Sequence, residues 1–339
     1  MGFTVAVIGA TDNVGREILQ TLAERKFPAD SVVALGTDRA VGHEVSYGED
    51  DVLKVQDAAR FDFSTIDIAF SSSDPKLSAL HSPRAATSGC VVIDMSGHYA
   101  TDPEIPLVVP EVNGAALAGY KQRYIVANPG GGAIQLALAL KPLHDRFTVR
   151  RAVVATYQAV SGAGKEAMDE LFTQTRAIFV NDPVAKSVLP KQIAFNVIPH
   201  IDRNLDDGYT HEEWRLNVET RKILDPKIKV TATCVRVPVF IGDSAAVTIE
   251  TEESITAEDA LEVLRAAPGL SVLDQRAGEG YITPVEVAGE NPVFVSRIRE
   301  DITVENGLAF WSVADNLRKG AALNAVQIAE ILASDHLEE

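Results

Sequence analysis

Residues 125–136 read Ile-Val-Ala-Asn-Pro-Gly-Gly-Gly-Ala-Ile-Gln-Leu, and the organisation of the whole chain follows from them. Ile125, Val126 and Ala127 have the composition of a strand end. Asn128-Pro129 is a turn, because proline fixes its own φ and drives the preceding residue to extended geometry. From Ala133 the apolar spacing of Ile134, Leu136, Leu138 and Leu140 predicts a helix to His144, with no breaker before Pro142. Three glycines therefore stand where a helix begins. The first helical turn offers unpaired N–H groups and a partial positive charge. A glycine start is thus an anion or oxyanion site with no reactive group of its own.

Upstream, Phe3 to Ile8 is a short β-branched run, followed by the turn Gly9-Ala-Thr-Asp-Asn-Val-Gly15 and an amphipathic stretch from Arg16 to Lys26. A second strand is expected at Ser31 to Leu35. Strand, glycine turn, helix and strand are the opening of a dinucleotide fold, with Gly9, Thr11, Asn13, Val14 and Gly15 at the phosphate cradle. Asp12 interrupts that cradle. Its carboxylate either repels a pyrophosphate or caps the helix and faces solvent. Further strands are expected at Ile66 to Phe70 and Val91 to Ile93.

Downstream, Val153 to Ala159 reads as a strand, Lys165 to Phe179 as a helix, Glu212 to Ile223 as a charged helix and Lys229 to Phe240 as a strand. A helix is expected at Ala257 to Ala266 and a strand at Thr303 to Val313. A closing helix is expected from Asn316 to about Leu332. At 339 residues the chain is long for one domain. Two are expected: 1–128, completed by 315–339, and 129–314.

Apolar residues make up 46%, enough for two cores, and the net charge is −17, which argues against nucleic acid as a partner. The two cysteines, Cys90 and Cys234, make no disulfide framework and fit a reducing, cytoplasmic setting. No basic leader and no long apolar run suggests a signal peptide or a membrane span. No metal site is indicated.

The residues quoted resemble the aspartate-semialdehyde dehydrogenase family over nearly the full chain. That resemblance implies an α/β fold: a Rossmann-like dinucleotide-binding domain, then an α+β catalytic and dimerisation domain of the glyceraldehyde-3-phosphate-dehydrogenase C-terminal type. It also implies a homodimer, NADP as cofactor and a small carbonyl substrate. The family's turn is Ala-Asn-Pro-Asn-Cys, whose cysteine is the nucleophile, and the matching residue here is Gly131. Its acid/base histidine lies in Gly-His-Ser, which here is Gly242-Asp243-Ser244. Its phosphate arginine matches Ala100, beside His98 and Tyr99. Its middle phosphate-loop glycine matches Asp12, and the loop that grips the extra phosphate of NADP is reduced to Gly36-Thr-Asp-Arg39-Ala, beside Asp38.

Other matches are kept. Gln158 matches the substrate-positioning glutamine, Glu213 the glutamate for the substrate amine, Arg215 a phosphate lysine and Arg236 the arginine for the substrate carboxylate. Asn128 falls at the catalytic turn, and Asn316 at the helix that lies near the nicotinamide.

With nucleophile and imidazole absent and cofactor grip weakened or lost, these matches imply a departure from the parent reaction. The leading expectation is a non-oxidative carbon–carbon lyase, releasing an aldehyde such as formaldehyde from a larger hydroxylated or aromatic carbonyl compound. In it Asp243 is the base, Gln158 and the Gly131 and Gly132 amides hold the oxyanion, and Arg236 with His98 clamps the substrate. Smaller side chains at Gly131 and Ala100 are expected to widen the pocket. Cys234 is a candidate replacement thiol or an inert core cysteine. The alternatives are an NADP-dependent oxidoreductase of altered chemistry and a pseudoenzyme that binds a metabolite or a dimer partner.

Overall fold

The structure, a computed structural model, describes residues 2–37, 39–275 and 277–337. Chain contacts divide it into two units, Met1–Gly130 with Ala321–Glu339, and Gly131–Gly320.

The first unit runs β1 (Phe3–Ile8), α1 (Asn13–Glu24), β2 (Ala29–Gly36), the hairpin of β3 (Glu44–Tyr47) and β4 (Asp51–Lys54), β5 (Gln56–Asp57), β6 (Ile68–Ser71), α2 (Pro75–Thr87), β7 (Val91–Asp94), α3 (Pro110–Asn113) and β8 (Ile125–Ala127). Its main sheet has the order β5-β2-β1-β6-β7-β8, and every neighbouring pair is parallel. This is the doubly wound arrangement, with the order reversing at β1. Its strands are apolar on both faces (Val5, Ala6, Val7 and Ile8 are all buried), as a sheet covered on both sides requires.

The second unit runs α4 (Gly131–Phe147), β9 (Val149–Gln158), α5 (Lys165–Phe179), α6 (His211–Ile223), β10 (Lys229–Arg236), β11 (Asp243–Thr251), α7 (Ala257–Ala266), β12 (Leu270–Val272), α8 (Pro284–Val287), β13 (Val293–Glu300) and β14 (Gly307–Ala314). Its sheet is mixed, in the order β10-β9-β11-β14-β13-β12. Strict alternation sends Ala152, Val154, Val230, Ala232, Val247 and Ile249 into one core with Leu136, Leu140 and Leu143 of α4. The opposite face shows Tyr157 and Trp311, ring centroids 5.6 Å apart.

Several expectations shift at their edges. α4 starts two residues early at Gly131 and runs through Pro142 to Phe147. Proline removes one ladder bond there, yet Leu143 and Phe147 beyond it are buried, and that burial keeps the last turn helical. β10 stops at Arg236 rather than Phe240, since Pro238 has no N–H to give. The closing helix opens as a π turn, Arg318–Ala322, before α9 (Leu323–Asp335). β14 starts at Gly307, not Thr303. Among the described residues no helix is long and apolar enough to cross a membrane.

Candidate functional site

Three neighbouring strands of the second unit end together, and their register sets the site. Arg236 pairs with Gln158 across β10 and β9, and Ser244 pairs with Tyr157 across β11 and β9. Asp243 therefore lies beside Gln158. Side chains alternate, so Arg236, Gln158 and Asp243 share the face that carries Ala232, Val154 and Val247. Three polar groups thus stand side by side where an apolar face gives out.

Each is held. Arg236 is buried, and its Nη1 donates to the Ala159 carbonyl at 2.6 Å. Burial pulls its pKa below the ordinary arginine value, against the pull of Asp243 and Glu212. Asp243 is half-buried, and its Oδ1 accepts the Ala159 N–H at 2.7 Å. Desolvation pushes its pKa up to about 7, while the Ala159 N–H and Arg236 oppose the rise. The backbone of one residue, Ala159, thus anchors both the carboxylate and the guanidinium. Gln158 Nε2 donates to Glu212 Oε1 at 3.1 Å and to Thr156 Oγ1 at 3.3 Å.

That glutamate is one residue from the expected one. Glu213 is buried, and both its carboxylate oxygens are taken by backbone. Oε2 accepts the Thr210 N–H at 2.8 Å, closing a capping box at the start of α6, and Oε1 accepts the Cys234 N–H at 3.0 Å. The carboxylate that faces Gln158 belongs to Glu212. Sequence reasoning missed Glu212, although the signal was present: Thr210-His-Glu-Glu213 is a capping box, which assigns Glu213 to the helix start. Arg215, one turn on, donates to Glu219 at 3.0 Å, with Glu212 at 4.0 Å, and the two carboxylates raise its pKa.

Gly131 and Gly132 begin α4 as expected, but Gly131 opens little room. A Cβ built on it would lie 3.1 Å from the Gly320 carbonyl oxygen, and one on Gly132 would lie 3.1 Å from Leu216 Cδ1. The expected widening at Gly131 is therefore largely closed by the π turn. Ala100 is buried. Cys234 is buried as well, with its pKa pushed up to about 12 by desolvation, so it is a core thiol and no substitute nucleophile. Asn316 Oδ1 accepts the Gly242 N–H at 2.9 Å, and its Nδ2 donates to Ser161 Oγ at 2.9 Å.

Gly162 lies under the guanidinium, where a Cβ would come within 3.1 Å of Arg236 Nη1. Gly162→Ala is expected to tilt Arg236 and raise KM for a carboxylate-bearing substrate about tenfold, the scale of one charge-assisted hydrogen bond. Steady-state kinetics alongside a melting curve checks this, the melting temperature staying near the wild-type value.

The remaining expected residues lie in the first unit. Gly9 has φ +85°, and a Cβ on Gly15 would strike the Gly9 carbonyl, so the β1–α1 turn has the close backbone approach of a dinucleotide cradle. Thr11, Asn13 and Val14 line that turn. Asp12 occupies the N-cap position of α1, exposed, with no side-chain cap bond. Arg39 is exposed in the turn after β2, and Asp38 lies outside the described residues. His98 is exposed and meets the ring of Tyr99 edge-on at 4.6 Å; Tyr99 is buried. Asn128 is buried too, and its amide is used internally: Oδ1 accepts Asn324 Nδ2 at 2.8 Å and Nδ2 donates to the Pro129 carbonyl at 3.0 Å. It ties the end of β8 to α9.

Comparison with known proteins accounts for both units. Residues 4–120 match the NAD binding domain of semialdehyde dehydrogenase, and residues 140–319 its dimerisation domain. An aspartate-semialdehyde dehydrogenase of Rickettsia conorii is 47% identical over 338 residues, 99% of each chain. That of Aquifex aeolicus is 46% identical, covering 99% of this chain and 100% of its own. The crystal structure of aspartate semialdehyde dehydrogenase II from Vibrio cholerae, complexed with ASA, superposes with a TM-score of 0.96 at 44% identity, covering 99% of this chain and 100% of that one.

These relatives overturn the expected carbon–carbon lyase. Full-length proteins sharing nearly half their residues with this chain are named dehydrogenases, and both of its units match domains of that enzyme.

Proposed function

The chain belongs to the semialdehyde dehydrogenase family, and we propose that it is a homodimeric, nicotinamide-dependent oxidoreductase acting on a small semialdehyde. The observation that carries this reading is the full-length match to aspartate-semialdehyde dehydrogenases together with Arg236, Gln158, Glu212 and Asp243 at one sheet end. The glycine turn after β1 fits a dinucleotide, because Gly15 lets α1 approach the turn closely. Gly9 to Gly15 would hold its pyrophosphate, and Arg39 is the cation at hand for the extra phosphate of NADP. When bound, the nicotinamide takes up the hydride.

The chain's own residues do the rest. Gly131 has no side chain, so no thioester forms there and no inorganic phosphate is needed to release one. The substrate instead reacts as its hydrate, RCH(OH)₂. Arg236 binds its carboxylate, and Glu212 accepts from its amine. Asp243 takes the hydroxyl proton as the C–H bond breaks, leaving a carboxylic acid. The α4 amides donate to the oxygen that remains, and Gln158 holds Glu212 in place through its own amide.

Purified protein given aspartate semialdehyde and NADP, with phosphate withheld, is expected to form reduced nicotinamide and aspartate. Reduction that appears only on adding phosphate overturns the hydrate route. A failure of NADP and NAD alike to raise the melting temperature overturns the oxidoreductase. A ligand at ~100 times its Kd stabilises by about 2.7 kcal/mol, which a melting curve resolves.

A further inference from the structure

Asp243 leaves β11 from a backbone that admits little choice. Gly242, just before it, has φ +102°, and a Cβ there would lie 2.8 Å from the Pro284 carbonyl oxygen. Its N–H is held by Asn316 Oδ1 at 2.9 Å. Asn316 in turn donates to Ser161 Oγ at 2.9 Å, and the Ser161 N–H donates to the Phe240 carbonyl at 3.1 Å. Two residues before Ser161 stands Ala159, whose N–H meets the Asp243 carboxylate and whose carbonyl meets Arg236. The contacts close a ring through Ala159, Ser161, Asn316, Gly242 and Asp243. Three segments distant in sequence are locked together around one carboxyl group.

From this ring we infer that Ser161 and Asn316 are positioning residues for Asp243: by clamping the Gly242 peptide they fix where its carboxyl points and how much water reaches it. The inference rests on the reading above that Asp243 moves the proton, but its geometry does not depend on the substrate. A side-chain amide suits the task. Its oxygen takes the Gly242 N–H while its nitrogen reaches the serine, and it adds no charge beside Asp243. The charged groups that act on that carboxyl are Arg236 on β10, Glu212 on α6 and Asp315 just after β14. Arg236 favours its ionisation, and the two acids oppose it. Orientation and dryness therefore decide its state as much as charge does.

The test is a carbon-13 NMR titration of the full protein labelled at aspartate carboxyls, with D243N used to assign the resonance. Wild-type Asp243 is expected to titrate at about 7. N316A, which frees the Gly242 peptide and lets water in, is expected to move the midpoint down by about one pH unit. N316D, which keeps the acceptor and adds a charge, is expected to move it up. Ser161→Thr, which keeps the hydroxyl, leaves it in place. Opposite shifts at one position are not produced by loosening alone. Should N316A fail to fold, S161A reads the same downward shift with Asn316 intact. An unchanged midpoint in folded N316A or S161A overturns the inference. Turnover that survives in D243N removes the proton-transfer reading instead, and the titration then judges the positioning alone.

Discussion

Asp243→Asn is expected to lower turnover by about 10²- to 10⁴-fold, the usual contribution of a general base. The side chain keeps its shape and its acceptor for the Ala159 N–H, so binding through Arg236 should be retained and KM should change little. The pH profile adds a sharper signature. A base works as its carboxylate, so wild-type activity should climb as pH rises through about 7 and then level off. The variant should show no such step.

Stability carries the opposite sign. The folded pKa of Asp243 is raised above its ordinary carboxyl value of 3.8, so between the two the folded state binds the extra proton. Stability from this group is fully present below the lower value and lost as pH rises to about 7. Asp243→Asn should therefore melt above wild type at pH 8, the difference shrinking toward pH 4. Melting curves at the two pH values check it. A variant both slower and more stable is the pattern of a strained catalytic group. Full activity in it removes Asp243 from the chemistry.

The second large effect concerns the first unit. Gly15→Ala would drive a methyl group into the Gly9 carbonyl, with the Gly9 carbonyl carbon 2.8 Å and Ala10 Cα 2.9 Å away. All three obstacles are backbone, so none can step aside by a rotamer change. α1 must lift from the turn, at a cost of about 1–3 kcal/mol. Gly9 already sits at φ +85° and has little room to adjust. Urea unfolding is expected to show that loss, and calorimetric titration should show NADP binding weakened severely. Unaltered binding in the alanine variant would dismiss the β1–α1 turn as the nucleotide cradle.

The sequence revealed elements where one signal acted alone. β1 runs from Phe3 to Ile8 as its β-branched run implies, and α5 and α7 keep their expected ends because glycine before one and Thr256 before the other mark the start. It misled where tertiary packing outweighed a local breaker. The helix expected to end at His144, just past Pro142, runs on to Phe147, because Leu143 and Phe147 are buried. The π turn at Arg318–Ala322 has little local signature, since four of its residues are ordinary helix formers and Gly320 alone marks a weak point. The hairpin of β3 and β4 went unseen because its strands are short and largely polar.

At the site, the family resemblance made Arg236 and Gln158 legible as partners in chemistry, but only the register shows them side by side with Asp243. Adjacent positions on a helix differ by about a quarter turn, and only the cap shows that Glu212, rather than Glu213, meets Gln158. Function was misjudged for another reason. Missing groups are conspicuous in a motif, whereas the likeness to relatives is spread over the whole chain.

That cap also has a use at the bench. Because Glu213 ties the start of α6 to the Cys234 peptide, the helix is held against rolling, and Glu212 and Arg215 stand at a set height beside the sheet end. A library meant to retune selectivity should randomise Glu212, Gln158 and Arg215 and leave Thr210 and Glu213 untouched. Diversity at the latter pair would be spent on misfolded clones.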